Sequence, residues 1–353
     1  MSYSAEPLAA MERSERSAVK NSETHDSVSV VIPCFNEEQF IGNVLQNLAP
    51  QYQPSEYEII VVDGRSTDDT RKVIDEFAAA NPDVRVLVVD NPARNIPVAL
   101  NLGIRAAQGE FIIRMDAHSI PSADYVSRCV YLLRDEQASV VGMSWHIKPG
   151  DKSTVARAIA LAVAHPFGVG DARYRLAGTT AQFVDTVPFG AFKKRLWESV
   201  GGFNEQLLAN EDYDFNYRVR QGGGKVLLDS VAHCDYFARP TLAQLARQYW
   251  RYGSWKAQML RMHPYSIKLR QVVAPLFVAW LLVTFAVGFL WAGAWWLLVL
   301  TVASYALVAV ISSLQLSLRS RDARSLFVLP LIFFTIHWMW GSGFLLGLFK
   351  RPR

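Results

Sequence analysis

Three cysteines in 353 residues, Cys34, Cys129 and Cys234, are too few and too widely spaced for a disulfide framework or a zinc site. They fit small buried hydrophobes in a reducing compartment. No Gly-x-Gly-x-x-Gly follows the first apolar run and no Gly-Lys-Ser/Thr loop occurs anywhere, which argues against dinucleotide and P-loop sites. Residues 1–26 have no apolar h-region, so no signal peptide is expected and this polar stretch reads as a disordered tail. The net charge of +4 gives little reason to expect a nucleic-acid partner. Acids nearly vanish from residue 271 onward, where Lys and Arg collect beside long apolar runs as juxtamembrane residues do.

The stretch Phe111-Ile112-Ile113-Arg114-Met115-Asp116-Ala117-His118 is an apolar run that stops at a carboxylate and an imidazole. With Gly109 before it and Pro121 after, it reads as a buried strand entering a loop. In open α/β sheets ligands bind beyond the carboxyl ends of the strands. Asp-x-His there can hold Mg2+ or Mn2+; equally, Asp116 can cap the next helix beside a surface His118. Upstream, 28–33, 58–63 and 84–89 read as strands, with helices from Ile41, over about 69–80 and over 95–107. Strands alternating with short helices predict an α/β fold with a parallel sheet. Asp63 and Asp116, both at strand ends, suit a nucleotide, since carboxylates accept from base N–H and ribose hydroxyls.

In the middle of the chain, Asp185 to Gly190 leads to the basic Lys193-Lys194-Arg195, and Gly201-Gly202-Phe203 makes a turn. Asn210-Glu211-Asp212-Tyr213-Asp214 opens a helix. Its acids either interact with the helix dipole or include a general base. Residues 241–262 predict an amphipathic helix rich in Trp, Tyr and Arg, which suits a membrane surface and also a sugar or diphosphate site. Three apolar stretches follow, 272–291, 295–316 and 326–349, each of about the 20 residues that a bilayer crossing takes. Ala292-Gly293-Ala294 is a tight connection among Trp291, Trp295 and Trp296. Basic residues before and after the first pair put both outer ends in the cytoplasm. The third stretch, with His337 near its middle, is expected to be re-entrant or packed on the others; Gly343 and Gly347 suit close helix packing.

These pieces together resemble the family 2 glycosyltransferases with the GT-A fold, over about 27–260. The resemblance rests on Val31-Ile32-Pro33-Cys34-Phe35-Asn36-Glu37, Val61-Val62-Asp63-Gly64-Arg65-Ser66-Thr67-Asp68, Asn101-Leu102-Gly103, Arg114 to His118, Gly201-Gly202-Phe203 and Asn210-Glu211-Asp212. Asp116-Ala-His118 and Gln248-Tyr249-Trp250-Arg251-Tyr252-Gly253 are most similar to the membrane-bound glucosyltransferases of succinoglycan synthesis. The resemblance implies a Rossmann-like nucleotide-sugar domain (27–240), to which the amphipathic and apolar patterns add an interfacial helix region (241–270) and a transmembrane region (271–353). It implies a donor site from Pro33, Phe35 (stacked on the base), Glu37, Asp63, Arg94, Asp116, Gln248, Arg251 and Tyr252. Asp116 and His118 would hold Mg2+ or Mn2+, His118 standing where the family has Asp. Asp212 would be the catalytic base, with Glu211 beside it. The partners implied are a UDP-sugar, a lipid-linked saccharide acceptor, the membrane and other glycan-assembly proteins, with no nucleic acid. The expected location is the inner cell membrane, multi-pass, with the catalytic domain in the cytoplasm. Two alternatives stay open, a processive polysaccharide synthase and an inactive nucleotide-sugar-binding scaffold.

Overall fold

The computed structural model describes residues 26–350 apart from 135, 137, 177 and 179. The expected tail lies outside the described residues except for Asp26, which is buried and ion-paired with Arg134. In chain order the elements are β1 (Val28–Cys34), α1 (Ile41–Leu48), β2 (Tyr57–Asp63), α2 (Thr70–Ala80), β3 (Arg85–Asp90), α3 (Ile96–Ala106), β4 (Phe111–Arg114), β5 (Ser119–Pro121) and α4 (Tyr125–Arg134). Then come β6 (Val140–Lys148), α5 (Thr154–Ala162), α6 (Pro166–Val169), β7 (Gln182–Phe183), β8 (Ala191–Lys193), α7 (Lys194–Val200), α8 (Glu211–Gln221) and β9 (Val226–Phe237). The chain ends in four long helices, α9 (Leu242–Met262), α10 (Leu269–Gly288), α11 (Gly293–Ser320) and α12 (Ser325–Gly347).

The strands run β3-β2-β1-β4-β8-β6-β9-β5, with β7 beside β9. The first four are parallel; β1, β2 and β4 are buried along nearly their whole length, as their apolar runs predict for strands covered on both faces, and β3 lies part-exposed at the edge. The sheet as a whole is mixed, which corrects the expectation of a parallel sheet: β8 is antiparallel to β4 and β6, and β5 and β7 are antiparallel to β9. In the parallel half, Cys34 pairs with Asp63 at the carboxyl ends of β1 and β2, and Val31 pairs with Arg114 at the end of β4. All three strands therefore empty into one crevice.

Two of the sequence signatures lock each other. Asn101 in α3 accepts from the Phe203 backbone N–H and donates to the Phe203 carbonyl, both at 2.9 Å. Gly103 lets α3 lie on the sheet, since a Cβ there would come within 2.5 Å of Val31. Gly201 and Gly202 turn the chain toward α8 with φ of 83° and 75°, a region that costs other residues energy.

The helices α10, α11 and α12 are each long and apolar enough to cross a membrane. The third apolar stretch is one unbroken helix, so of the two expectations the packed one describes it. Close approach explains its glycines: a Cβ on Gly343 would meet the Trp250 carbonyl at 2.4 Å, and one on Gly253 of α9 the Trp340 carbonyl at 2.2 Å. Its His337 is fully engaged. Nε2 donates to the Phe167 carbonyl (2.7 Å), so Nδ1 accepts from the Tyr305 hydroxyl (2.8 Å).

Candidate active site

Arg114 is the centre of the site. A guanidinium at the end of a buried strand must be paired, and this one meets three acids. Nη2 lies 3.3 Å from Asp116 Oδ1, Nη1 lies 3.0 Å from Glu211 Oε1, and Nη1 also contacts Asp212. The first turn of α8 is thereby tied to the loop after β4. Asp214 departs from its neighbours. It is fully buried, bound by His263 Nε2 at 2.8 Å and Arg218 Nη2 at 2.7 Å, and it is absent from the cavity wall. The acids of this turn thus divide, with Asp214 holding the fold and Glu211 and Asp212 facing the site.

Burial pushes the Asp212 carboxyl up to about 7 against the pull of Arg114, and the charges of Glu211 and Asp116 push the same way. A carboxylate poised near neutrality suits a general base. Burial acts to lower the His118 pKa, but Glu37, 3.0 Å from Nδ1, and the charge of Asp116 outweigh it, so the imidazole pKa is raised.

On the other side of the crevice the loops after β1 and β2 are stitched together. Asn36 N donates to Ser66 Oγ (2.9 Å), Thr67 N to Asn36 Oδ1 (2.8 Å) and Glu37 N to Thr70 Oγ1 (2.8 Å). Asn36, Arg65 and Arg94 all hold positive φ here, a cost that clusters at functional loops. Phe35 is left 44% exposed, with the Arg94 guanidinium 5.3 Å from its ring centre. Pro33 lies behind it, half-buried in β1. Asp63 is wholly buried; it accepts from Ser66 Oγ and Arg71 Nε, both at 2.6 Å, and shapes the loop.

The amphipathic helix α9 closes a third side. Gln248 Nε2 donates to the Tyr236 hydroxyl (3.2 Å) and the Tyr252 hydroxyl (3.1 Å), and Arg251 donates to the Leu208 carbonyl. Asp116, His118, Glu211, Asp212, Gln248, Arg251 and Tyr252 all line one cavity of about 840 Å3. Pro33, Phe35, Glu37, Asp63 and Arg94 stand outside that wall, Pro33 and Asp63 near the carboxyl ends of β1 and β2 and the other three on the loops after β1 and β3. Sequence reasoning gave Arg114 no role of its own. Its signal was present, since a lone Arg in an apolar strand calls for buried acids.

Asp116 and His118 fit a divalent ion as a donor set. One offers carboxylate oxygen; the other has Nδ1 engaged by Glu37, the second-shell arrangement that leaves Nε2 as a ligand. A different cluster, His146, His233 and Asp235, brings its ligand atoms within 4.8 Å of one another on β6 and β9, and none of the three lines the cavity.

The acid pair that opens α8 thus shares one guanidinium with Asp116 at the carboxyl end of β4. Residues 29–199 match the family model "Glycosyl transferase family 2", and the chain is a glycosyltransferase whose domain over those residues is of that type. It is 29% identical to the succinoglycan biosynthesis protein ExoA of Rhizobium meliloti, over 91% of this chain and 94% of that one. A second relative, 26% identical over 92% of this chain and 97% of its own length, is the Methanococcus voltae dolichyl N-acetyl-alpha-D-glucosaminyl phosphate 3-beta-D-2,3-diacetamido-2,3-dideoxy-beta-D-glucuronosyltransferase. The fold is that of a Pyrobaculum calidifontis mannosyltransferase solved with GDP-Man and Mn2+ (TM-score 0.60, 20% identity, 97% of this chain and 94% of that chain). GT-A architecture is thus shown.

Proposed function

We propose that the chain is an inverting glycosyltransferase. It moves a hexose, glucose by analogy with its succinoglycan relative, from a UDP-sugar to a polyprenyl-diphosphate-linked saccharide. One observation carries the acceptor reading: the cavity that holds Asp116 and Asp212 is also lined by Phe277, Tyr305, Ile336 and Trp340 of the apolar helices. A saccharide head at the acids with its lipid among the helices fits that shape. A relative named for a dolichyl phosphate substrate agrees with it.

In this mechanism Asp212 takes the proton of the acceptor hydroxyl, whose own pKa lies far above 7. Arg114 holds Asp212 and Asp116 in register, so the base and the donor side keep a fixed spacing. Phe35 and Arg94 receive the base, Glu37 orients His118, and Gln248, Arg251 and Tyr252 complete the donor site from the side of α9. A divalent ion, Mg2+ or Mn2+, on Asp116 and His118 would supply neutralising charge for the departing diphosphate. A single displacement without a protein nucleophile inverts the anomeric centre.

The direct test incubates membranes with a panel of UDP-sugars and a lipid-linked acceptor and identifies the product by mass. One added hexose with matching UDP release is expected. A long polymer would instead identify a processive synthase, and binding without UDP release a scaffold. The reading also places the catalytic domain on the cytoplasmic face of the inner membrane, consistent with Arg319, Arg321 and Arg324 at the end of α11. A reporter fused after Leu318 should then behave as cytoplasmic and one at Gly293 as external; a cytoplasmic Gly293 would overturn the α10–α11 hairpin as a crossing.

A further inference from the structure

We propose that Arg175 is the phosphate-binding residue of the acceptor subsite. This rests on the lipid-linked acceptor reading above and adds to it the residue that receives the acceptor's charge.

Arg175 ends a turn between α6 and β7 and is only 7% exposed. Its guanidinium lies over three aromatic rings, 4.8 Å from the centre of Trp145, 5.4 Å from Tyr174 and 5.5 Å from Tyr236. Nε donates to the Tyr174 hydroxyl at 3.3 Å. No carboxylate among the described residues pairs with it, whereas the other buried or nearly buried arginines of the cavity are neutralised. Arg114 has Asp116, Glu211 and Asp212, and Arg270 has Asp171 and Asp185. A buried cation without counter-charge is costly. Ring faces offset part of that cost, but they do not engage the in-plane N–H donors. Those donors belong to the cavity wall, since Arg175 lines the same cavity as Asp212. An anion entering that cavity supplies the missing charge, and a guanidinium fork matches phosphate oxygens.

The spacing selects which phosphate. Trp145 packs on Phe189 (5.2 Å between ring centres), and Arg114 lies over Phe189 at 5.6 Å. Two aromatic side chains thus stand between Arg175 and the Asp116 end, where the donor diphosphate is expected. A saccharide whose hydroxyl reaches Asp212 places its own phosphate farther along the cavity, toward the apolar helices. Arg175 meets it there.

The test uses the purified full-length chain in lipid nanodiscs, with farnesyl diphosphate, farnesol and UDP plus Mn2+ as separate probes. The parent should bind farnesyl diphosphate roughly tenfold or more tighter than farnesol, the effect expected of hydrogen bonds to a charged group. Arg175→Gln should erase that preference and leave UDP affinity unchanged. Arg175→Lys, which keeps the charge but not the fork, should retain part of it. An intact preference in Arg175→Gln would refute the assignment while leaving the lipid-acceptor reading in place. Equal loss of UDP affinity would assign the anion to the donor instead. Failure of the parent to bind either farnesyl probe would bring down the acceptor reading and this proposal together. Loss of fold in both variants, read from thermal melts, would assign Arg175 to the core and also overturn it.

Discussion

Asp212→Asn should keep UDP-sugar binding and lose transfer by roughly 10²–10⁴-fold, the usual worth of a positioned base. The amide preserves size and can still face Arg114, but it takes no proton at neutral pH. The competing account makes Asp212 a first-turn acid worth about 0.3–1 kcal/mol of helix stability, and it predicts intact transfer in a slightly weaker protein. The controls lie in the same turn. Glu211→Gln removes an equivalent charge beside Arg114 and should retain far more activity than Asp212→Asn. Asp214→Asn breaks the contacts to His263 and Arg218 and should lower stability, with activity per folded molecule kept. Equal loss of activity in all three would defeat the assignment to Asp212. With its pKa near 7, Asp212 changes from acid to base across neutrality. Transfer by the parent should therefore rise with pH through that region, because only the carboxylate accepts the proton; a profile flat from pH 6 to 8 would speak against this base.

Asp116→Ala should reduce donor turnover by at least about 10²–10³-fold, on the scale of removing a preorganised electrostatic partner. EDTA should do the same to the parent, with Mn2+ or Mg2+ restoring activity. Among the described residues, nothing like the backbone cradle of a P-loop follows β1; the chain there enters Cys34-Phe35-Asn36-Glu37. The diphosphate charge must then be met by an ion and by arginines. Asp116 also faces Arg114, so the alanine variant frees that guanidinium to draw more closely on Asp212. UDP binding measured by calorimetry with and without Mn2+ separates the two effects. Metal-dependent binding that Asp116→Ala abolishes supports the ion site. Full activity in EDTA would remove the metal from the mechanism.

Much of the fold was legible because its signals are local. The first four strands and the three helices between them lie within a residue or two of where apolar runs, Pro and capping patterns put them. The mixed half was not legible. β8 is three residues long inside a basic segment, and β6 carries His146 and Lys148 toward its exposed end, so neither shows a clean apolar period. The acids of the site stood out because each ends a strand or opens a helix. What the sequence could not show is how they share one cation, since Arg114 and Asp212 meet only when the first turn of α8 comes to the end of β4. The cage around Arg175 draws on Trp145, Tyr174 and Tyr236, two of them many residues distant. His337, odd in an apolar stretch, is explained by two partners on separate elements, Tyr305 and the Phe167 carbonyl.

The central claim is a single displacement at the sugar carbon with Asp212 as base. The measurement that bears on it most directly is the anomeric configuration of the newly transferred sugar, read from proton NMR coupling in the isolated product. From an α-linked UDP-glucose the mechanism predicts a β-linked residue. An α-linked product would require two displacements or a retained ion pair, and would contradict the account.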